Sequence, residues 1–183
     1  MIIDAQITLQ KLQTSLDRFW KLSGEKILMI EQNFDPKRGA PVFTVDGKYT
    51  TRGWTEWTQG FQFGSALLQF DATGNEGFLE IGRKNTVEKM APHITHYGVH
   101  DHGFNNLSTY GNLWRLMAEG KIPHNKWESD FYELALKVSG SVQAMRWTTT
   151  KTGGYIYSFN GPQSLFVDTI RSCRIVMVSH ALG

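Results

Sequence analysis

Apolar residues return every three or four positions over most of this chain, the period of an amphipathic helix. Leu9, Leu12, Leu16 and Phe19 begin the pattern behind Asp4, a candidate N-cap. That stripe ends or bends at Ser23-Gly24, and Ile27, Leu28 and Ile30 can continue it. Residues 33 to 53 hold Pro36, Gly39, Pro41, Gly47 and Gly53 and read as a long loop. A second helix carries Trp57, Phe61, Gly64 and Leu68 on one face and stops at Thr73-Gly74. Asn75 caps a third, with Phe78, Ile81, Val87 and Met90, which fades before Pro92. The polar segment HITHYGVHDHGFNN leads into a fourth, which aligns Leu107, Tyr110, Trp114 and Met117 and ends before Gly120. A fifth aligns Trp127, Phe131, Leu134, Val138, Val142 and Met145. Residues 147 to 164 form a second long loop that can hold a short β-hairpin, and a sixth helix from near Leu165 contains Ile170, Cys173 and Met177.

The expectation is therefore an all-α protein, a single domain over residues 1–183, with six helices paired as hairpins. Short connections make neighbouring helices antiparallel, so the N-terminal ends of alternate helices gather at one end of the molecule. Trp57, Asp101 and Asp168 each lie near such a start, and both long loops precede even-numbered helices at that same end. Two carboxylates beside a flat apolar surface are what acid-catalysed chemistry on a sugar requires, which points to part of a glycoside hydrolase. The chain stops at the end of the sixth helix, and three hairpins leave a toroid open on one side. A piece of a larger domain is expected.

Composition narrows the alternatives. A hydrophobic share of 40% over 183 residues is ample for a core, and the 13% aromatic share, with six Trp, suits cores and sugar sites alike. The formal net charge is only +2 and the Lys and Arg residues are scattered, so neither nucleic acid nor a membrane surface is an expected partner. No apolar run approaches membrane-spanning length. Cys173 is the single cysteine, which removes intrachain disulfides and cysteine-based zinc clusters. The N-terminus MIIDAQITLQ lacks the basic start and long apolar core of a signal peptide, and the location, cytoplasmic or periplasmic, stays open.

Each candidate residue has an ordinary role to set beside the chemical one. Asp101, in HYGVHDHGF, stands where an N-cap belongs. The flanking histidines and glycine make that segment too polar for a routine buried connection. Asp168, in SLFVDTIRSCR, falls in the first turn of the sixth helix, where the helix dipole favours a charged carboxylate. A general acid needs the opposite, so burial or a second carboxylate such as Asp101 must stand close by. A Trp at a helix start such as Trp57 is more often a core residue than a sugar platform, and Gly60 and Gly64 leave bare backbone for close helix packing, the commoner cause, or for a ligand. His93, His96, His100 and His102 have metal-ligand spacing but match no short metal motif, so no metal and no cofactor is expected. His100 or His102 better suits orienting a carboxylate or bonding a sugar hydroxyl. Phosphate-binding, dinucleotide and nucleophile-elbow motifs are missing from the sequence.

The order WTQGFQFG, HDHGF and VDTIRSCRIVMVSHALG resembles the unsaturated glucuronyl hydrolases of glycoside hydrolase family 88 and related six-hairpin glycosidases, from about Trp54 to the end. The family form is HDLGF followed by a DTM-type segment; here His102 replaces the Leu and Ile170 the Met. The resemblance implies an (α/α)6 barrel, of which this chain supplies about half, and the remaining half as its structural partner. It implies Asp168 as general acid and base, Asp101 as its carboxylate partner and Trp57 as a sugar-stacking residue. The implied substrate is an oligosaccharide ending in a 4,5-unsaturated uronic acid, protonated at C4 and hydrated at C5, with no cofactor. Three alternatives are a hydrolase of saturated glucuronides on the same scaffold, a non-catalytic helical binding module, and a metal hydrolase built on the histidines.

Overall fold

The computed structural model describes residues 6–51 and 56–183, and over these the chain is predominantly helical, of the all-α class, with two small β-hairpins. The expected cap Asp4, the loop residue Gly53 and Trp54 lie outside the described residues. Helix α1 (Leu9–Asn33) is opened by Thr8, whose hydroxyl accepts from the Lys11 N–H at 3.3 Å. It runs through Ser23-Gly24 without the expected break. Gly24 is there for close approach, since a Cβ would meet the Phe78 ring at 3.0 Å and Gln69 Nε2 at 3.3 Å.

The first long loop contains an unexpected hairpin, β1 (Phe43–Val45) with β2 (Lys48–Thr50), paired antiparallel. Asp46 and Gly47 turn it with φ of 48° and 73°, the two positive values that a two-residue type I′ turn needs. Helix α2 (Gln59–Thr73) follows a short 3-10 turn, Glu56–Thr58, and is closed by left-handed Gly74, whose N–H bonds the Phe70 carbonyl at 2.7 Å. Asn75 caps α3 (Glu76–Lys89) as expected, accepting from the Gly77 N–H at 3.0 Å. Pro92 does not mark a loop. It sits in the first turn of a short helix, α4 (Ala91–Thr95), where its missing N–H costs nothing. Helix α5 covers residues 102–118 and includes one π-helical turn, Leu107–Gly111. Helix α6 (Lys126–Ala144) leads into the hairpin β3 (Trp147–Thr150) with β4 (Gly153–Ile156), and α7 (Thr169–Ala181) starts at Thr169 rather than near Leu165.

One core joins Phe63 and Leu67 of α2, Tyr110, Leu113 and Leu116 of α5, Leu136 of α6 and Ile175 of α7. The stripe read on the fourth helix, Leu107, Tyr110, Trp114 and Met117, does face this core, as do Phe78, Ile81 and Met90 of the third, but several other stripe residues do not. Phe61, Leu68, Val87, Trp127, Leu134, Met145, Ile170 and Met177 are exposed. The helices approach each other through small residues instead. A Cβ on Gly64 would stand 2.5 Å from the Ser108 carbonyl, and one on Gly103 would stand 2.6 Å from the Ser172 carbonyl. Contact made backbone to backbone turns the bulky residues one step round each helix away from the interface. Gly60 and Gly64 therefore serve helix packing, with the Gly60 N–H donating to Asn105 Oδ1 at 3.0 Å.

Candidate active site

The start of α5 is fixed on three sides. The His100 N–H donates to the Ser158 carbonyl at 3.0 Å, Asn105 holds α2, and Gly103 lies against the backbone of α7 at Ser172. Asp101 and Asp168 occupy the N-cap positions of α5 and α7, yet neither side chain accepts a capping hydrogen bond. Both turn instead into one cleft of about 480 Å³, a size suited to a small ligand. Trp57, Phe159 and Phe166 wall the same cleft, and Arg171 borders it. The three residues singled out at alternate helix starts thus meet at one place.

Behind the carboxylates stands His100, fully buried. Its Nδ1 is 3.0 Å from Ser172 Oγ, and its Nε2 lies 3.4 Å from Asp168 Oδ1 and 3.8 Å from Asp101 Oδ2. Burial lowers the affinity of this ring for a proton, against the pull of both aspartates. His100 Nε2 and Asp168 Oδ1 make no hydrogen bond among the described residues. Burial raises Asp101 above the ordinary carboxylate range, Asp168 adds to the rise, and His100 opposes it. On its outer side Asp168 Oδ2 takes an Nη2 hydrogen of Arg171 at 2.5 Å.

One donor atom each from His100, Asp101 and Asp168 falls within 4.8 Å of the others, a set that could hold a cation. The positive charge that Asp168 faces is the guanidinium of Arg171. The other histidines are arranged elsewhere. His102, expected to bond substrate or orient a carboxylate, is 2% exposed and is not among the described residues lining the cleft. It links His93 and His96, with ring nitrogens 2.8 Å and 2.6 Å apart, and His93 Nε2 donates to Gln59 Oε1 at 2.6 Å. Because that oxygen can only accept, a neutral His93 receives at Nδ1 from His102, which in turn receives at Nε2 from His96. Burial and the adjoining rings push His102 down to about 3, in keeping with this direction. His100 does not reach the cleft either, and its contact is with the carboxylates rather than with a ligand.

Two residues that carry the site gave no sequence signal. Arg146 is fully buried and donates from Nε to the Tyr157 carbonyl at 3.0 Å, from Nη2 to the Phe159 carbonyl at 3.2 Å and to that of Ser158, and from Nη1 to that of Tyr97. It pins the segment after β4 that presents Phe159 to the cleft. An arginine after a helix is commonplace, and only the fold shows what it closes. Arg171 likewise reads as an ordinary helix-surface cation. Comparison with known proteins brings no match, whether to a family model, a curated protein or a solved structure.

Proposed function

We propose that this chain is the catalytic part of a glycoside hydrolase acting on oligosaccharides that end in a uronic acid, and that it hydrates the 4,5 double bond of an unsaturated glucuronyl residue. The observation that carries this reading is the meeting of Asp101 and Asp168, uncapped and remote in sequence, in one aromatic-walled cleft. The scaffold fitting it is half of an (α/α)6 barrel. The apolar residues left exposed on α1 and α7, among them Leu9, Phe19, Ile170 and Met177, are surfaces that further helices of such a toroid would cover.

Asp168 delivers a proton to C4, and the double-bond electrons form that C–H bond. The ring oxygen stabilises the cationic centre at C5. Water adds its oxygen there and returns a proton to the Asp168 carboxylate. The hemiketal opens to a ketone, and the hemiacetal left at C1 releases the rest of the sugar. Asp101 stands beside Asp168 as its carboxylate partner, His100 packs behind both carboxylates, and Trp57 offers a face to the sugar ring. The aspartate oxygens lie within 4.8 Å of each other, nearer than the roughly 6.5–9.5 Å used by an inverting displacement at a saturated glucuronide.

Incubation with an unsaturated glucuronyl disaccharide is expected to abolish the near-UV absorbance of its double bond. Asp168→Asn is expected to slow this about 10²–10⁴-fold with the helical CD spectrum intact. An unchanged absorbance with the native chain rejects the reading, and full activity in the variant rejects the role of Asp168.

A further inference from the structure

A uronyl ligand brings a carboxylate into the cleft, and a carboxylate leaving water needs a charged or amide partner. Among the described residues that line the cleft, Arg171 is the one cation. Its guanidinium carbon lies 4.4 Å from the centroid of the Phe104 ring, and Phe104 is itself stacked on Phe61 with centroids 5.0 Å apart. Contact with an aromatic face restricts the guanidinium and keeps its N–H edge available for a planar anion. The side chain is 44% exposed, and one of its hydrogens is engaged among the described residues, on Asp168 Oδ2. The remaining donors form an open fork of the kind that takes a carboxylate in a bidentate fashion.

We propose that Arg171 is the carboxylate anchor of the cleft, exchanging its bond to Asp168 for one to the acidic sugar. This rests on the uronyl hydrolase reading and adds to it the group that recognises the acid and a reason for its position. In a 4,5-unsaturated uronate, C5 carries the carboxylate and also the double bond to C4. Whatever grips the carboxylate must then stand beside whatever protonates C4. Arg171 and Asp168 are one helical turn apart at the start of α7 and already in contact. A saturated glucuronide needs its acid at the oxygen on C1, across the ring oxygen from C5, which this pairing does not favour. Binding also releases Asp168: once the guanidinium turns to the substrate, that carboxyl is no longer tied to Arg171 and can face C4.

The test titrates the full chain calorimetrically with D-glucuronate and with D-glucose. The native chain is expected to prefer glucuronate by at least about tenfold, the scale of a charged hydrogen bond. Arg171→Met should remove the preference while keeping the helical CD spectrum, and Arg171→Lys should keep part of it. Asp168→Asn should strengthen glucuronate binding, because the competing carboxylate is gone, and adding Arg171→Met should abolish that gain, which relief of charge repulsion alone would leave in place. A preference missing from the native chain, or one surviving Arg171→Met, overturns the anchor. If the preference follows Arg171 but an unsaturated disaccharide is never turned over, the hydrolase reading falls and the anchor stands. If Arg171→Met turns the disaccharide over with unchanged KM, the anchor falls and the hydrolase reading stands.

Discussion

An aspartate at the start of a helix usually turns its oxygens to the first free amides, which are otherwise unpaired. Asp101 and Asp168 leave that role unfilled, and Asp101 does so while 6% exposed. Burial raises the folded-state pKa of Asp101 above its unfolded value. The protonated form is therefore accommodated in acid, and stability is lost as pH rises through the folded pKa and a buried charge appears. Asp101→Asn, neutral at every pH, should accordingly melt about 2–4 °C above the native chain at pH 7, or ~1 kcal/mol for a chain of this length. The gain should vanish in acid, below the unfolded carboxylate range, and a variant less stable at neutral pH would contradict the account. The two aspartates and Trp57 are legible in the sequence because helix starts can be read from caps and apolar spacing. The sequence does not separate His100 from His102, which flank Asp101 in a single HDH run. Successive side chains at a helix start point in different directions, so one ring meets the carboxylates and the other is buried with His93 and His96.

The existence and order of the helices are legible because capping and periodicity are local properties. Asn75 and Gly74 bound their helices as the residue types require. The hairpin at Asp46-Gly47 is also written in the chain, as an Asp-Gly pair between β-forming residues, but the glycines and prolines around it give the whole stretch the look of a loop. The buried face is legible for the helix carrying Tyr110 and Met117 but not for those carrying Phe61, Leu134 and Met177, for which it depends on where glycines let two backbones meet. Gly103 is the sharpest case, because it presses the helix that starts behind Asp101 onto the helix that starts behind Asp168. A methyl group there meets the Ser172 carbonyl at 2.6 Å and its Cα at 2.9 Å, which are backbone atoms that cannot rotate aside. Gly103→Ala should destabilise the chain by about 1–3 kcal/mol. It should also weaken glucuronate binding by more than the lost stability explains, because the two carboxylates move apart. Thermal melting read beside calorimetry separates these effects, and normal binding in a destabilised variant would show that the spacing is not critical.

At the scale of the whole molecule, exposed hydrophobic positions outside the core are as informative as those in it. Leu9, Leu12, Leu16 and Phe19 lie along one side of α1 at helical spacing, with Leu9 76% and Phe19 56% exposed, while Ile170 and Met177 are exposed on α7. A monomer seldom leaves apolar stripes of this kind in water, since each costs the free energy that burial would release. With a net charge of only +2 there is little repulsion to keep copies apart. The chain by itself should therefore associate as its concentration rises, with a sedimentation mass that grows over the range. Leu9→Glu combined with Phe19→Glu should return the mass toward that of one chain, and should leave melting nearly unchanged because neither residue belongs to the core. The cleft opens at the helix starts that carry Asp101 and Asp168, and the α1 residues do not line it, so glucuronate binding should be the same in associated and dispersed chains. A mass independent of concentration would mean that these stripes are tolerated in water, and would remove the support they give to a larger toroid.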